Sequence, residues 1–135
     1  MKNKWLLFSA INGFFCVAFG AFAAHVLEKN LSTIALTWID KGLKYQMFHS
    51  VALLSLGLFQ YLIPARSSST NKMLNFIAIS WSSGILCFSG SLYAVALGVS
   101  QNLVWVTPIG GVLFLIGWSG LIYILLKNQL FTPID

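Results

Sequence analysis

Apolar residues along this chain gather into four long uninterrupted runs: Trp5 to Leu27, Tyr45 to Ile63, Met73 to Val99 and Leu103 to Leu126. None contains Asp, Glu, Lys or Arg. About 20 helical residues cross a hydrocarbon core, and each run is of that order. Backbone polar groups in lipid must be satisfied within the segment, so the runs predict membrane helices. The first run also resembles a signal peptide, with Lys2 and Lys4 before it and Ala21-Phe22-Ala23 near its end. It is longer than the usual apolar region of a signal, which favours a retained helix.

Between the first two runs the pattern changes. Leu31, Ile34, Ala35, Trp38, Ile39 and Gly42 recur at helical spacing, while Thr33, Thr37, Asp40, Lys41 and Lys44 occupy the opposite face. Ser32 suits an N-cap. This predicts a short amphipathic helix over 32–43, lying in the membrane interface. The stretch from Pro64 to Asn71, with Ser67-Ser68-Ser69-Thr70, reads as a flexible turn. The expected fold is all-α: one integral membrane domain over 1–135, an antiparallel four-helix bundle with a short amphipathic interfacial helix between helices one and two.

Composition supports lipid as the solvent. Hydrophobic residues make up 58% of the 135 and charged residues 8%, against about 25% charged in soluble domains. The net charge of +5 does not predict a nucleic-acid partner, because the eight basic residues are scattered singly and form no stripe that could track phosphates. Their placement bears on topology instead. With four crossings, Lys2, Lys4, Arg66, Lys72 and Lys127 share one side, and Lys29, Lys41 and Lys44 the other. That imbalance favours cytoplasmic termini. Cys16 and Cys87 lie inside apolar runs and read as packing residues. No cofactor and no metal site is expected: no tight ligand spacing exists, and the three acids, Glu28, Asp40 and Asp135, all lie outside the runs.

Small residues suggest how the helices pack. Ser80, Gly84, Cys87, Ser91, Ala94 and Gly98 form one seam on the third run. Gly13, Val17, Gly20 and Ala24 form a shorter one on the first, and Gly110, Gly117 and Gly120 serve the fourth. Such seams let helix backbones approach closely in lipid. Pro108 sits near the start of the fourth helix, where a missing N–H does little harm.

The candidate chemistry lies in the polar groups within or beside the runs: His25, Tyr45, Gln46, His49, Tyr93 and Thr107. Counted from the run ends, they gather in the outer half of the membrane, with His25 and His49 expected to approach each other. These groups either act as hydrogen-bond glue for the bundle or line a small outward-facing pocket, since intramembrane ionisable groups usually face an interior or a wet cavity. No nucleophile–base set, paired carboxylates or phosphate-binding glycine loop accompanies them, so the chain is not expected to be an enzyme. The first function class is a structural or accessory membrane protein. The second is a binding or transport protein with a small outer-leaflet pocket for a lipid, quinone or small solute. The expected partners are the lipid bilayer and either a second copy of the chain or a larger membrane protein.

Four segments carry a resemblance: Gly20-Ala21-Phe22-Ala23-Ala24-His25, Tyr45-Gln46-Met47-Phe48-His49, Ser89-Gly90-Ser91-Leu92-Tyr93 and Thr107-Pro108-Ile109-Gly110-Gly111. Together they resemble the small bacterial inner-membrane family of unknown function typified by YgdD and YwdK. Ala23 stands where that family often has glycine. The resemblance implies a multi-pass protein of the bacterial plasma membrane and transfers no catalytic residue. It directs attention to His25, Tyr45, Gln46, His49, Tyr93 and Thr107.

Overall fold

The computed structural model describes residues 4–62 and 67–127. Four helices follow in order: α1 Lys4–His25, α2 Thr33–Leu62, α3 Ser68–Ala96 and α4 Val106–Leu126, with short 3₁₀ turns at Leu27–Lys29 and Gln101–Trp105. Each helix packs along its neighbour in sequence, as short connections between antiparallel helices require. Helices α2 and α3 form the centre. Helices α1 and α4 flank them and do not pack along each other. Three helical stretches, Lys4–Lys29, Ser68–Ala96 and Gln101–Leu126, are long and apolar enough to cross a membrane. Helix α2 completes the bundle and is the most polar of the four, with Gln46, His49 and Ser50 turned inward.

The expected interfacial helix over 32–43 is not a separate element. It is continuous with the second run, so that α2 extends for 30 residues without a break, about 45 Å at the usual rise. Ser32 does cap it, accepting the Ala35 N–H at 3.2 Å. The amphipathic pattern holds in part: Ala35, Ile39 and Gly42 are buried and Thr33, Thr37, Asp40, Lys41 and Lys44 are exposed, but Ile34, expected on the apolar stripe, is 64% exposed. What differs is the surface that covers the apolar stripe. Ala35 and Ile39 pack with Ala23 of α1 and with Tyr93 and Ala96 of α3. Nothing in 42–45 breaks a helix. Gly42 is needed for close packing, because a Cβ there would press on the Tyr93 ring.

The connection to α3 also differs. Pro64 and Arg66 lie outside the described residues, as do Lys2, Ile63 and Asp135. Ser67 to Asn71 are not a loose turn but the start of α3. Ser67 Oγ accepts the Thr70 N–H at 3.0 Å and bonds the Thr70 hydroxyl at 2.9 Å, an N-cap that satisfies an otherwise unpaired helix donor. Helix α3 ends in a Schellman motif: Val99 N–H bonds Ala94 O, Gly98 N–H bonds Val95 O, and Gly98 adopts φ +77°, where glycine carries no Cβ penalty. Gly98 thus closes the helix and does not belong to the packing seam.

The α3–α4 contact is glycine-tight. A Cβ at Gly84 would strike the Phe114 ring, one at Gly110 the backbone of Phe88, and one at Gly117 the Trp81 indole. Ser80 and Ser91 are buried beside this contact, and Cys87 is half-buried. The seam expected on α1 is not packed. Nothing lies within 4 Å of a Cβ placed on Gly13, Gly20 has one ordinary contact with Leu43, and Val17 is 70% exposed. The inward face of α1 is instead Trp5, Ser9, Asn12, Cys16 and Ala23. Polar atoms on that face have partners across the interface, and a buried polar group without one costs more than a glycine row gains.

Candidate functional site

Helix α2 is the polar spine of the bundle. Gln46, 5% exposed, sits between two helices and spends both ends of its amide there. Its Nε2 donates to Asn12 Oδ1 of α1 at 2.8 Å, and its Oε1 accepts from the Tyr93 hydroxyl of α3 at 2.8 Å. Asn12 in turn donates to the Phe8 carbonyl at 2.9 Å. One turn along, Ser50 Oγ donates to the Gln46 carbonyl, and Ser9 Oγ donates to the Ser50 carbonyl. On the α3 side Ser89 Oγ donates to the Gly42 carbonyl at 2.7 Å. The result is a continuous hydrogen-bonded belt tying α1, α2 and α3. One apolar cluster around Leu53, Ile77 and Trp81 lies on one side of it, and a second around Ile39 and Ala96 on the other.

His49, one helical turn from Gln46 and 3% exposed, belongs to a different group. Its Nδ1–H faces the Tyr45 carbonyl at 2.8 Å, and its Nε2 accepts from the Trp118 indole N–H of α4 at 3.1 Å. The second bond requires a lone pair on Nε2, so the imidazole is neutral with its proton on Nδ1. The ring stacks on Phe114, centroids 3.6 Å apart and planes 9° from parallel. Phe48, Trp81 and Trp118 complete an aromatic box around it. Trp81 is buried, and its Nε1–H has no acceptor among the described residues.

The candidate residues from the sequence therefore divide. Gln46 and Tyr93 are bonded to each other. Tyr45 lies against Phe88, ring centroids 4.5 Å apart, on the same side as His49. Thr107 pairs with Ser91 at 2.7 Å, a separate link between α3 and α4. His25 joins none of them and lies exposed at the end of α1. Its expected approach to His49 does not occur. Gly20 faces Leu43 and Asn12 bonds Gln46, so His25 is level with about residue 35, roughly 20 Å along α2 from His49.

Along the bundle axis the belt sits nearer the middle than the run ends suggested. Asn12 lies about 12 Å from the start of α1 and about 20 Å from its end, which puts the belt near mid-bundle. The run boundaries misplaced it because α2 enters the bundle well before Tyr45.

Sequence reasoning missed Asn12, Ser9, Ser50, Ser89 and Trp118. Asn12 had a legible signal, being a lone amide in a charge-free run. The serines and Trp118 carried no comparable signal.

Two clefts flank α2. One, about 320 Å³, lies between α1 and α3, with Asn12, Gln46 and Tyr93 among Phe8, Ile11, Phe15, Ile85, Leu86 and Gly90. The other, about 550 Å³, lies between α2 and α4 and is lined by Lys44, Tyr45, Phe48, His49, Phe88, Gly111, Phe114, Leu115 and Trp118. Among the described residues no three of His, Cys, Asp and Glu gather to hold a metal ion.

Residues 19–111 of this chain match the model of the DUF423 family, described as a protein of unknown function. The chain belongs to this family. Among its relatives is a UPF0382 membrane protein of Haemophilus influenzae, 52% identical over 129 residues, covering 96% of this chain and 98% of the relative. The UPF0382 inner membrane protein YgdD of Escherichia coli K12 is 41% identical over 114 residues, covering 84% and 82%. A UPF0382 membrane protein of Staphylococcus saprophyticus is 38% identical over 118 residues, covering 87% and 92%. No solved structure matches the chain. In this DUF423 member the matched span runs from the end of α1 to the start of α4. It includes the Gln46–Tyr93 bond and His49, and leaves out Asn12 and Trp118.

Proposed function

We propose that this DUF423 protein is a non-enzymatic accessory protein of the bacterial plasma membrane, a small rigid bundle that associates with other membrane components. One observation carries this reading: Gln46 and His49 are committed to partners within the bundle. Both amide atoms of Gln46 are bonded across helices, and His49 holds the Tyr45 carbonyl of its own helix with Nδ1–H and the Trp118 indole of α4 with Nε2. An acid–base centre needs a group within reach of a substrate proton, and these groups are spent on holding helices together. The outward surface of α1, by contrast, presents Leu7, Ile11, Phe14 and Val17, a face suited to lipid, to a second copy or to a larger membrane protein. Photo-crosslinking from Phe14 in native membranes tests the reading. A discrete protein adduct is expected. Adducts to lipid alone from every position on this face would overturn it.

A second reading is favoured by the α1–α3 cleft. There Gln46 and Tyr93, together with Asn12, would bind a small amphipathic molecule at mid-depth. The spare N–H groups of the two amides would serve as donors, and Tyr45, His49, Thr107 and His25 would not take part. Under that reading Gln46→Leu loses ligand while the bundle stays folded.

For topology we propose cytoplasmic termini, on the distribution of basic residues. In a chain lacking its native cysteines, cysteine placed at position 101 should label from outside intact cells and cysteine at position 3 should not. The reverse pattern would invert the bundle.

A further inference from the structure

The groove between α2 and α4 takes no part in the polar belt. Its floor is the buried pair His49 and Phe114, stacked face to face. Its rim is the exposed Tyr45, Phe48 and Leu115, and Gly111 leaves the α4 wall without a side chain. Helices α2 and α4 do not pack backbone to backbone here. Phe88, Phe114 and the Trp118–His49 bond hold them apart. At about 550 Å³ the space falls in the range of small-molecule pockets, and its lining is aromatic and aliphatic with one exception.

That exception is Lys44. Its ammonium bonds Asp40 at 2.7 Å, one turn back along α2, so the side chain runs toward the end of the bundle that carries the α1–α2 turn. Leu43 is level with Gly20, which places the Lys44 backbone about 9 Å short of the end of α1. A lysine at that depth lays its stem along apolar surface and lifts its charge to the headgroup level. Lys41 stands on the same exposed face, three residues away. Two cations against one carboxylate leave a net positive charge where the groove meets the membrane surface.

We propose that this groove holds one acyl chain of an anionic phospholipid, with Lys44 on the headgroup phosphate. A groove flanked by membrane helices, apolar along its length and cationic at the end facing the headgroups, matches that molecule at both ends. A zwitterionic lipid meets the same walls but gains less from Lys44, so the site selects by headgroup. The selection does not depend on whether the protein has a protein partner.

The full chain, reconstituted in phosphatidylcholine vesicles, is titrated with phosphatidylglycerol or phosphatidylcholine carrying brominated acyl chains. Trp118 lines the groove, so its emission, taken as the difference between the native chain and Trp118→Phe, reports occupancy. Brominated phosphatidylglycerol should quench it at about fivefold lower mole fraction than brominated phosphatidylcholine, the ratio expected for one lysine acting on an anionic lipid. Lys44→Gln should bring that ratio close to one. Gly111→Leu should abolish Trp118 quenching by both lipids. A Cβ there meets nothing closer than 4.0 Å, so the side chain fills the groove without disturbing the helices. If Trp118→Phe fails to fold, native mass spectrometry of the native chain and Lys44→Gln reads the same preference. Equal quenching or equal retention of the two lipids by the native chain overturns the proposal. So does a preference that survives Lys44→Gln or Gly111→Leu.

Discussion

The two sides of this bundle are joined by different physics. Between α3 and α4 the contact is steric: Gly84, Gly110 and Gly117 admit Phe114, Phe88 and Trp81 so closely that a single methyl group has no room. Between α1 and the central helices a row of hydrogen bonds joins a single tight glycine, Gly57 against Leu6. Ser9, Asn12, Gln46 and Tyr93 bond across the gap, while Gly13 has nothing near it and Gly20 only one ordinary contact with Leu43. In lipid, where apolar surface is no driving force by itself, close van der Waals contact and interhelical hydrogen bonds are the two available means of association. Close glycine contact prevails between α3 and α4, with Ser91–Thr107 as an added bond, and hydrogen bonds prevail on the α1 side. The difference teaches that a glycine row predicts an interface only where no polar face on the same helix competes for it.

Substitutions can break the comparison at either end. The largest effect is expected from Gly110→Leu, which drives a side chain into the Phe88 backbone. Overpacking costs about 1 to 3 kcal/mol, and a clash with backbone belongs at the top of that range, so the detergent thermal midpoint should fall sharply or the protein fail to accumulate. A stable Gly110→Leu variant would show that α3 and α4 are free to separate.

Next comes Gln46→Leu, which strands the Tyr93 hydroxyl and the Asn12 carbonyl. Interhelical hydrogen bonds in membranes are worth about 0.6 to 1.7 kcal/mol each, so a loss of about 2 kcal/mol is expected. Adding Tyr93→Phe should restore part of it, because the stranded hydroxyl is then gone. Strict additivity in that double-mutant cycle would mean that the two side chains do not interact.

A smaller loss, about 1 kcal/mol, is expected for His49→Phe, which keeps the stack on Phe114 but leaves the Trp118 N–H without its acceptor. Ring contact survives and only the hydrogen bond is tested, so Trp118→Phe should cost less in this background than in the native chain, where it also removes that bond.

The smallest effect belongs to Gly13→Leu, within about 0.5 kcal/mol, since nothing lies within 4 Å of the added Cβ. A loss comparable to that of Gly110→Leu would place a partner on α1 and sharpen the proposal that this face carries the protein's contacts.

The sequence by itself determined a good deal of this protein. Four helices follow from charge-free runs whose backbone has no partner in lipid but its own, and the caps at Ser32 and the tight fit of Gly84, Gly110 and Gly117 follow from local chemistry and spacing. Gln46, His49 and Tyr93 stood out because polar groups in such runs are costly. Three things were decided only by the tertiary structure. The level at which α2 meets α1 came from the pairs Ser9–Ser50 and Asn12–Gln46, and it moved the polar belt to mid-depth and left His25 outside it. The length of α2 depended on α1 and α3 covering the stripe of Ala35 and Ile39, where an isolated amphipathic segment would have had only the membrane surface. The separation of Gln46 from His49 depended on their facing different helices, one toward α1 and the other toward α4. Periodicity along a chain states which residues share a face. It does not state which surface that face meets, because that choice is made by the summed contacts of all four helices at once.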